Sequence, residues 1–276
     1  MTEPFPERLL AGIERTGLPL AVGLDPHPDL LPARFARGPD LVGFGRAVLE
    51  ALAGRVPVVK IQVAFYERCG PAGWAALLAT ARLARELGYL TIADAKRGDI
   101  ASTAAAYAAA FFPAFDALTV NPYLGEDGVR PFVTAARKSG GGVFVLVRTS
   151  NPSAAEFQDL DAGGEPLHRR IARRVAAWSA ENRGPSGYGD VAAVVGATAR
   201  GHIAALRAEM PGVWFLLPGL GAQGGCPADV APAFDAAGRG ALLTASRSIV
   251  FPGGEDWTGG MRQAVDRVRS ELAGRA

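Results

Sequence analysis

Short apolar segments recur along this chain, and helical stretches separate them. Such alternation is typical of a parallel sheet in which each strand is followed by a helix. The candidate strands are residues 20–25, 56–62, 90–96, 117–121, 143–147, 191–196, 213–217 and 241–244. Eight strands are what a closed (β/α)8 barrel requires, so the sequence predicts a TIM barrel in the α/β class. A doubly wound open sheet is the alternative, because a strand count alone does not prove closure.

Length and charge limit the kinds of protein this can be. Barrels of about 200–250 residues commonly form one domain, so we expect a single domain over residues 1–276. A net charge of +2 is too small to indicate a nucleic-acid or membrane partner. The most apolar stretch, residues 104–115, is shorter than a membrane span and is closed by Pro113 and Asp116. We expect it to be a buried helix.

Cysteines and histidines show no metal-binding pattern. Cys69 and Cys226 are far apart, which favours a reduced, cytoplasmic protein. The N-terminus carries acids and prolines where a signal peptide needs a basic start, so export is not expected. His27, His168 and His202 lack ligand spacing. We expect them to be surface or capping residues, and we expect no protein-bound metal.

A charged segment follows the third candidate strand. If residues 90–96 are extended, Asp94 and Lys96 continue the face that Leu90 and Ile92 begin, and this face becomes charged at its end. Asp99 then precedes an alanine-rich helix that it can cap. An Asp94–Lys96 salt bridge with a capping Asp99 is the structural interpretation. The functional interpretation is an active site, because buried ions cost several kcal/mol each unless paired.

Polar residues also end the neighbouring strands. Asp25 ends the first, Lys60 lies near the end of the second, Asn121 ends the fourth, and Ser150 follows the fifth. Barrel enzymes carry their chemistry at this carboxyl face. Lys60 alone is also explained as the partner of a nearby acid, since a lysine in an apolar strand needs one.

The last two strand ends suggest a phosphate site. A glycine-rich turn with Pro218 and Gln223 follows the seventh strand, and Ser246 and Arg247 follow the eighth. Glycines let backbone N–H groups approach phosphate oxygens, and arginine offers a two-pronged charged contact. A flexible loop is the alternative for the turn taken alone.

A long loop runs from Thr149 to about His168, and its length is typical of a lid. The basic run that follows, residues 168–174, alternates with Ile171, Val175 and Trp178 at helical spacing. A solvated helix face explains this run better than a nucleic-acid site.

Two motifs carry a resemblance to a known family. Asp94-x-Lys96-x-x-Asp99-Ile100 and the Thr-Val-Asn-Pro-Tyr-Leu-Gly segment at residues 119–125 resemble orotidine 5'-monophosphate decarboxylases. The second motif is similar to that of a bacterial branch, type 2, and the resemblance extends from Val22 to Arg247. It implies a cofactor-free barrel, usually a homodimer, that converts orotidine 5'-monophosphate (OMP) to UMP and CO2 in the last step of UMP synthesis.

The resemblance also implies roles for individual residues. The charged catalytic array would be Lys60, Asp94, Lys96 and Asp99, with Lys96 protonating the C6 carbanion. The substrate would be bound by Asp25 and Lys60 at the ribose, Ser150 at the pyrimidine, Gln223 and Arg247 at the phosphate, Asp99 and Thr103 from the neighbouring subunit, and by Asn121 and Pro218. Ser246 and Ser153 stand where many relatives have glycine, so local phosphate and lid geometry are open.

Three other functions fit parts of the pattern. A sugar-phosphate decarboxylase with a similar Asp-x-Lys-x-x-Asp motif would need a metal. A Schiff-base aldolase would use Lys60 or Lys96 as its nucleophile. A non-catalytic barrel would bind UMP without turning anything over.

Overall fold

The computed structural model describes residues 3–36, 40–219 and 227–273. Its eight strands follow one another in chain order around a closed parallel barrel. The strands are β1 (Leu20–Leu24), β2 (Val58–Gln62), β3 (Leu90–Arg97), β4 (Ala117–Val120), β5 (Gly142–Arg148), β6 (Val191–Val195), β7 (Phe215–Pro218) and β8 (Ala241–Ala245). Every candidate strand is present, with ends that differ by two residues at most, so the predicted (β/α)8 barrel is confirmed and the open sheet is wrong.

Helices separate the strands, as the alternation predicts. They are α1 (Phe5–Thr16), α2 (Ala33–Ala36), α3 (Leu41–Leu52), α4 (Ala64–Glu67), α5 (Gly70–Glu86), α6 (Ala101–Phe111), α7 (Glu126–Ser139), α8 (Ala155–Gln158), α9 (Leu167–Ala180), α10 (Arg200–Glu209), α11 (Pro227–Val230), α12 (Arg247–Val250) and α13 (Trp257–Ala273). Short 3-10 turns lie at Pro28–Leu30, Pro152–Ala154 and Ala231–Ala233. None of the described helices has the length and apolar character needed to cross a bilayer.

The described chain groups into two compact units. One unit comprises Ala11–Ala95 and Thr244–Ala276. In it β1, β2 and β3 pair in parallel, with Lys60 opposite both Gly23 and Ile92. Aromatic side chains fill the space beside the helices, where Phe44 stacks on Trp257 with ring centroids 5.7 Å apart. The register places Lys60 in the middle of three neighbouring strands.

The second unit comprises Met1–Leu10 and Lys96–Leu243. Its strands β4, β5, β6 and β7 pair in parallel. Phe5 of α1 packs edge-on against Phe144 of β5, with ring centroids 5.8 Å apart. A side chain at Gly142 would meet the Phe5 ring at 2.6 Å, so glycine is needed where this ring covers the strand. The prediction of one domain over residues 1–276 stays a prediction.

Helix α6 differs from what its composition predicts. Only Ala104, Ala108 and Phe111 are buried in it, while the other alanines face outward and Tyr107 is 37% exposed. The prediction of a buried helix is therefore wrong for this chain. Alanine forms helix whether or not it is buried, so an alanine-rich sequence does not show how many sides of the helix are covered.

Candidate active site

An ion cluster lies in the first unit, where strands β1, β2 and β3 run side by side. We call Asp25, Lys60 and Asp94 the buried cluster. The Lys60 ammonium donates to Asp94 Oδ2 at 2.8 Å and lies 3.8 Å from Asp25 Oδ1. Only 6% of the Lys60 side chain and 9% of the Asp94 side chain are exposed, against 22% for Asp25. The prediction that Lys60 has an acidic partner is confirmed, and it has two.

These carboxylates decide the protonation state of Lys60. Burial by itself lowers the pKa of the ammonium, because it removes the charged form from water. The charges of Asp94 and Asp25 and the hydrogen bond to Asp94 outweigh burial and raise the Lys60 pKa to about 12. Lys60 is thus a permanent cation at neutral pH. A neutral amine is what a Schiff-base nucleophile needs, so this environment does not favour that role for Lys60.

Two further side chains hold the carboxylates in place. Gln62 Nε2 donates to Asp94 Oδ2 at 3.2 Å, and Ser246 Oγ donates to Asp25 Oδ2 at 2.6 Å. Sequence reasoning did not identify Gln62 as a site residue, although it follows Lys60 by two positions in β2 and therefore shares its face. Ser246 follows the eighth strand beside Arg247 in the predicted phosphate site, where many relatives have glycine. No local pattern indicates its contact with Asp25, which lies 221 positions away in the chain.

One oxygen of the cluster is left unpaired. Asp25 Oδ1 is buried and accepts no hydrogen bond from any described residue. Buried carboxylate oxygens are normally paired, so an isolated one indicates a place for a donor from outside the protein. A ligand hydroxyl would fit this atom.

Lys96 belongs to the second unit, where the backbone of β3 changes direction. Lys96 has φ +49°, in the left-handed region that non-glycine residues rarely adopt. Its N–H donates to Thr119 Oγ1 at 2.9 Å, and the Thr119 side chain is buried. Residues 91–94 of β3 are all buried and Lys96 is exposed, so the predicted face that begins at Leu90 does not continue to Lys96, because alternation requires extended backbone. Backbone strain of this kind is often found at functional residues.

Asp99 and Thr103 occupy different positions from those predicted. Helix α6 begins at Ala101, its N-cap is Ile100, and that position has no side-chain cap. Asp99 therefore precedes the helix, and its carboxylate accepts the N–H of Ile100 at 2.8 Å. The expected capping by Asp99 is wrong, and because Asp99 lies outside α6 it does not share a helix face with Thr103. Thr103 is exposed.

Asn121 and Ser150 follow β4 and β5 as predicted. Asn121 is exposed, and its Oδ1 accepts the N–H of Tyr123 at 3.0 Å, which stabilises the turn after β4. Ser150 is half-buried, and a side chain at Gly196 would lie 2.8 Å from its backbone nitrogen. The loop after β5 thus passes directly over the end of β6.

Half of the predicted phosphate site lies within the described residues. Pro218 ends β7 and is half-buried, whereas Gln223 lies outside the described residues. Arg247 is exposed as the first residue of α12. Phosphate binding therefore stays a prediction.

The segment after β5 is tied down by polar contacts. Arg148 donates to both oxygens of Asp159, at 2.9 and 3.0 Å, and the Thr149 N–H donates to Gln158 at 2.8 Å. His168 is buried and donates its Nδ1–H to the Gln158 carbonyl at 2.9 Å, so its prediction as a surface or capping residue is wrong. The ring anchors the far end of this segment, which its isolated position in the sequence does not reveal.

The arginines of the basic run on α9 face solvent, and three of them form ion pairs. Arg169 pairs with Glu209, Arg173 with Glu165, and Arg174 with Glu126. Val175 and Trp178 are buried on the opposite face, so the solvated-face interpretation is confirmed. Within the described ranges, no group of three or more histidine, cysteine, aspartate or glutamate residues is arranged to hold a metal.

A closed parallel barrel with ionisable residues in and just after the carboxyl halves of its strands is the architecture of (β/α)8-barrel enzymes. The family model described as "Orotidine 5'-phosphate decarboxylase / HUMPS family" matches residues 18–253. The chain belongs to this family.

Individual relatives extend the match over almost the whole chain. The orotidine 5'-phosphate decarboxylase of Streptomyces coelicolor is 44% identical over 98% of this chain and 97% of its own length. That of Rhodopirellula baltica is 39% identical over 98% of this chain and 99% of its own. The solved OMP decarboxylase of Leishmania donovani is 32% identical, has a TM-score of 0.79, and is matched over 97% of this chain and 98% of that one.

Proposed function

We propose that this chain is an orotidine 5'-monophosphate decarboxylase, a carboxy-lyase that converts OMP to UMP and CO2 in de novo pyrimidine biosynthesis. Its full-length similarity to enzymes of that name is the observation that carries the proposal. The buried cluster supports it, because a lysine held charged between two carboxylates supplies fixed electrostatics rather than a nucleophile. The TVNPYLG segment supports a place in the type 2 branch.

The chemistry requires a cation at the reacting carbon. Loss of CO2 from C6 leaves a carbanion with no adjacent electron sink, so stabilisation must come from charge and from rapid proton delivery. We assign both tasks to Lys96, which acts as general acid to C6. Asp94 stands two residues earlier in β3, and its carboxylate is fixed by Lys60 and Gln62. A fixed Asp94 cannot turn away from the departing carboxylate.

The remaining residues bind the rest of the nucleotide. Asp25 and Lys60 contact ribose hydroxyls, and the unpaired Asp25 Oδ1 supports this assignment. Ser150 addresses the pyrimidine, and Gln223 and Arg247 hold the 5'-phosphate. Asn121 and Pro218 shape the loops around them. Phosphate binding far from C6 supplies energy to close the segment after β5 as a lid.

The decisive assay follows OMP absorbance with purified protein and excess chelator. We expect UMP and CO2 in equal amounts, formed at the same rate as without chelator. Loss of activity with chelator would instead indicate a metal-dependent decarboxylase. Trapping of OMP by borohydride would indicate a Schiff base, and UMP binding without turnover would indicate a non-catalytic nucleotide-binding barrel.

We further propose a cytoplasmic homodimer in which Asp99 and Thr103 serve the partner's substrate. The outward face of α6 is mostly apolar and carries the exposed Tyr107, a residue type enriched at interfaces, which supports a contact there. Ile100, next to Asp99, is 51% exposed, which also suits an interface.

Subunit mixing tests the shared site. Lys96→Ala and Asp99→Ala should each be nearly inactive, and mixing them after dissociation should restore activity through heterodimers with one intact site. Equal mixing places about half the dimers in the mixed form, so roughly a quarter of wild-type activity should return. If native mass spectrometry shows mixed dimers and activity stays at background, Asp99 serves only its own barrel.

A further inference from the structure

Ser246 contacts the buried cluster through Asp25. It is the last residue before α12, and its Oγ donates to Asp25 Oδ2 at 2.6 Å, a short distance typical of a bond to a charged acceptor. We propose that Ser246 is a positioning residue: it fixes the Asp25 carboxylate so that Oδ1 accepts a ribose hydroxyl of the substrate. This inference rests on the proposed function.

The two oxygens of Asp25 have different surroundings. Oδ2 is occupied by the Ser246 hydroxyl, whereas Oδ1 lies 3.8 Å from the Lys60 ammonium and accepts no hydrogen bond from any described residue. A free carboxylate rotates about its Cβ–Cγ bond and exchanges its oxygens. A hydroxyl bound to one oxygen selects one orientation, so the other oxygen stays available to a ligand before it arrives.

Gly23 makes room for this arrangement. A Cβ at position 23 would lie 2.7 Å from Ser246 Cβ and 3.1 Å from its Oγ, closer than packed atoms allow. Gly23 also stands opposite Lys60 in the β1–β2 register. Ser246 therefore reaches Asp25 only because β1 has no side chain at this position.

The position of Ser246 in the chain links two parts of the ligand. Its neighbour Arg247 is the residue assigned to the 5'-phosphate, and Asp25 is assigned to the ribose. A serine here ties the ribose carboxylate to the loop that carries the phosphate arginine.

Kinetics with modified substrates test the inference. Ser246→Ala should lower kcat/KM for OMP about tenfold, mainly through a higher KM, because the carboxylate loses its fixed orientation. The penalty should fall below twofold with the OMP analogue that lacks the hydroxyl bound by Asp25, the 2'-deoxy or the 3'-deoxy compound. Ser248→Ala, which removes an exposed hydroxyl from the same helix, should leave all substrates unaffected.

A second pair of variants separates positioning from general damage. Ser246→Gly should reproduce the kinetics of Ser246→Ala. Gly23→Ala, which displaces the Ser246 hydroxyl without removing it, should lower kcat/KM in the wild-type background and have little further effect beside Ser246→Gly. Thermal unfolding of each variant shows whether the fold is retained.

The outcomes distinguish the two proposals. An equal penalty with OMP and both deoxy analogues, or no penalty at all, would overturn the role of Ser246 while wild-type turnover upholds the decarboxylase. UMP affinity measured by calorimetry should show the same dependence on Ser246 and on the ribose hydroxyl. Wild-type protein that neither turns over OMP nor binds UMP would overturn both.

Discussion

Two groups of charged residues in this protein differ in what surrounds them. In the buried cluster the Lys60 ammonium lies near two carboxyl groups and has little access to water. The second group, Glu126, Arg130, Arg137, Glu181 and Asp190, joins α7, the end of α9 and the residue before β6; we call it the surface network. Its members alternate in charge. The Arg130 side chain is 35% exposed and the Glu181 side chain is 38% exposed.

The contrast separates ions that serve packing from ions retained for chemistry. In the surface network each arginine has two acidic partners, Arg137 reaching Asp190 at 2.8 Å and Glu181 at 3.0 Å, and water screens its exposed members, although Asp190 itself is buried. The buried cluster is largely desolvated, and Asp25 Oδ1 still accepts no hydrogen bond from any described residue. Burying these charges costs free energy, and the missing hydrogen bond at Asp25 is explained if a bound ligand supplies it.

Removing one cation from each group gives the largest expected difference. Lys60→Ala should lower the free energy of unfolding by about 3–5 kcal/mol, because it removes the Lys60 cation from the buried Asp94 carboxyl group and the partly buried Asp25 carboxyl group. It should also abolish most decarboxylation. Arg130→Ala should lower it by less than about 1 kcal/mol, since solvent replaces the lost contacts.

Urea unfolding of the wild type and both variants, with OMP turnover measured on the same samples, gives the comparison. Similar stability losses in the two variants would show that burial does not distinguish the groups. Lys60→Met serves as a second variant, because it keeps most of the side-chain volume while removing the charge.

Lys96 should affect turnover without supporting the fold. Lys96→Gly should lower kcat about 10²–10⁴-fold, the usual contribution of a general acid. It should keep or raise stability by up to about 1 kcal/mol, because glycine adopts the observed φ of +49° without strain. Kinetics and denaturant unfolding test both effects.

Ala101→Gly is the matched control for Lys96→Gly. Ala101 also has a left-handed φ, +45°, and it carries no ionisable group. A similar stability change with full activity is the expected result. Retention of wild-type turnover in Lys96→Gly would remove Lys96 from the role of proton donor.

Arg247 should affect binding more than stability. Arg247→Ala should lower kcat/KM by about 2–4 kcal/mol, partly recovered when free phosphite accompanies a substrate that lacks its phosphate. Arg267→Ala removes an equally exposed positive charge from α13 and should change neither constant. Unchanged kinetics in Arg247→Ala would show that this arginine does not hold the phosphate.

The pH dependence of stability should distinguish the two groups, because the buried cluster should lose stability at alkaline pH and the surface network at acidic pH. The Lys60 pKa is raised from 10.5 to about 12, so its contribution, about 2 kcal/mol, is complete below pH 10.5 and disappears as the pH rises through 12. Hydrogen bonds from Arg130 lower the Glu181 pKa from 4.5 to about 2. Its contribution, under about 1 kcal/mol after screening, is complete above pH 4.5 and is lost as the pH falls towards 2.

Unfolding free energies of Lys60→Met and Glu181→Gln measure these contributions. The Lys60 variant should lack part of the alkaline loss, and the Glu181 variant should lack part of the acid loss. A wild-type curve that neither variant alters would contradict both assignments.

Local pattern determined the strands of this protein. Apolar runs of strand length, separated by helical stretches, specify where each strand begins and ends to within two residues. A buried strand needs only a short run of consecutive apolar residues, and such a run is visible in the local sequence. The candidate site positions Asp25, Lys60, Asp94 and Asn121 followed in the same way, since each lies in or next to a strand.

Only the tertiary structure decided which of these residues meet. Barrel closure brings Ser246 to Asp25 across 221 positions, and strand register brings Gln62 to Asp94. The left-handed backbone of Lys96, the burial of His168 and the exposure of α6 likewise depend on packing between distant segments. Periodicity in a sequence reports which faces are apolar, whereas hydrogen bonds across a closed sheet depend on register, and no single segment contains that information.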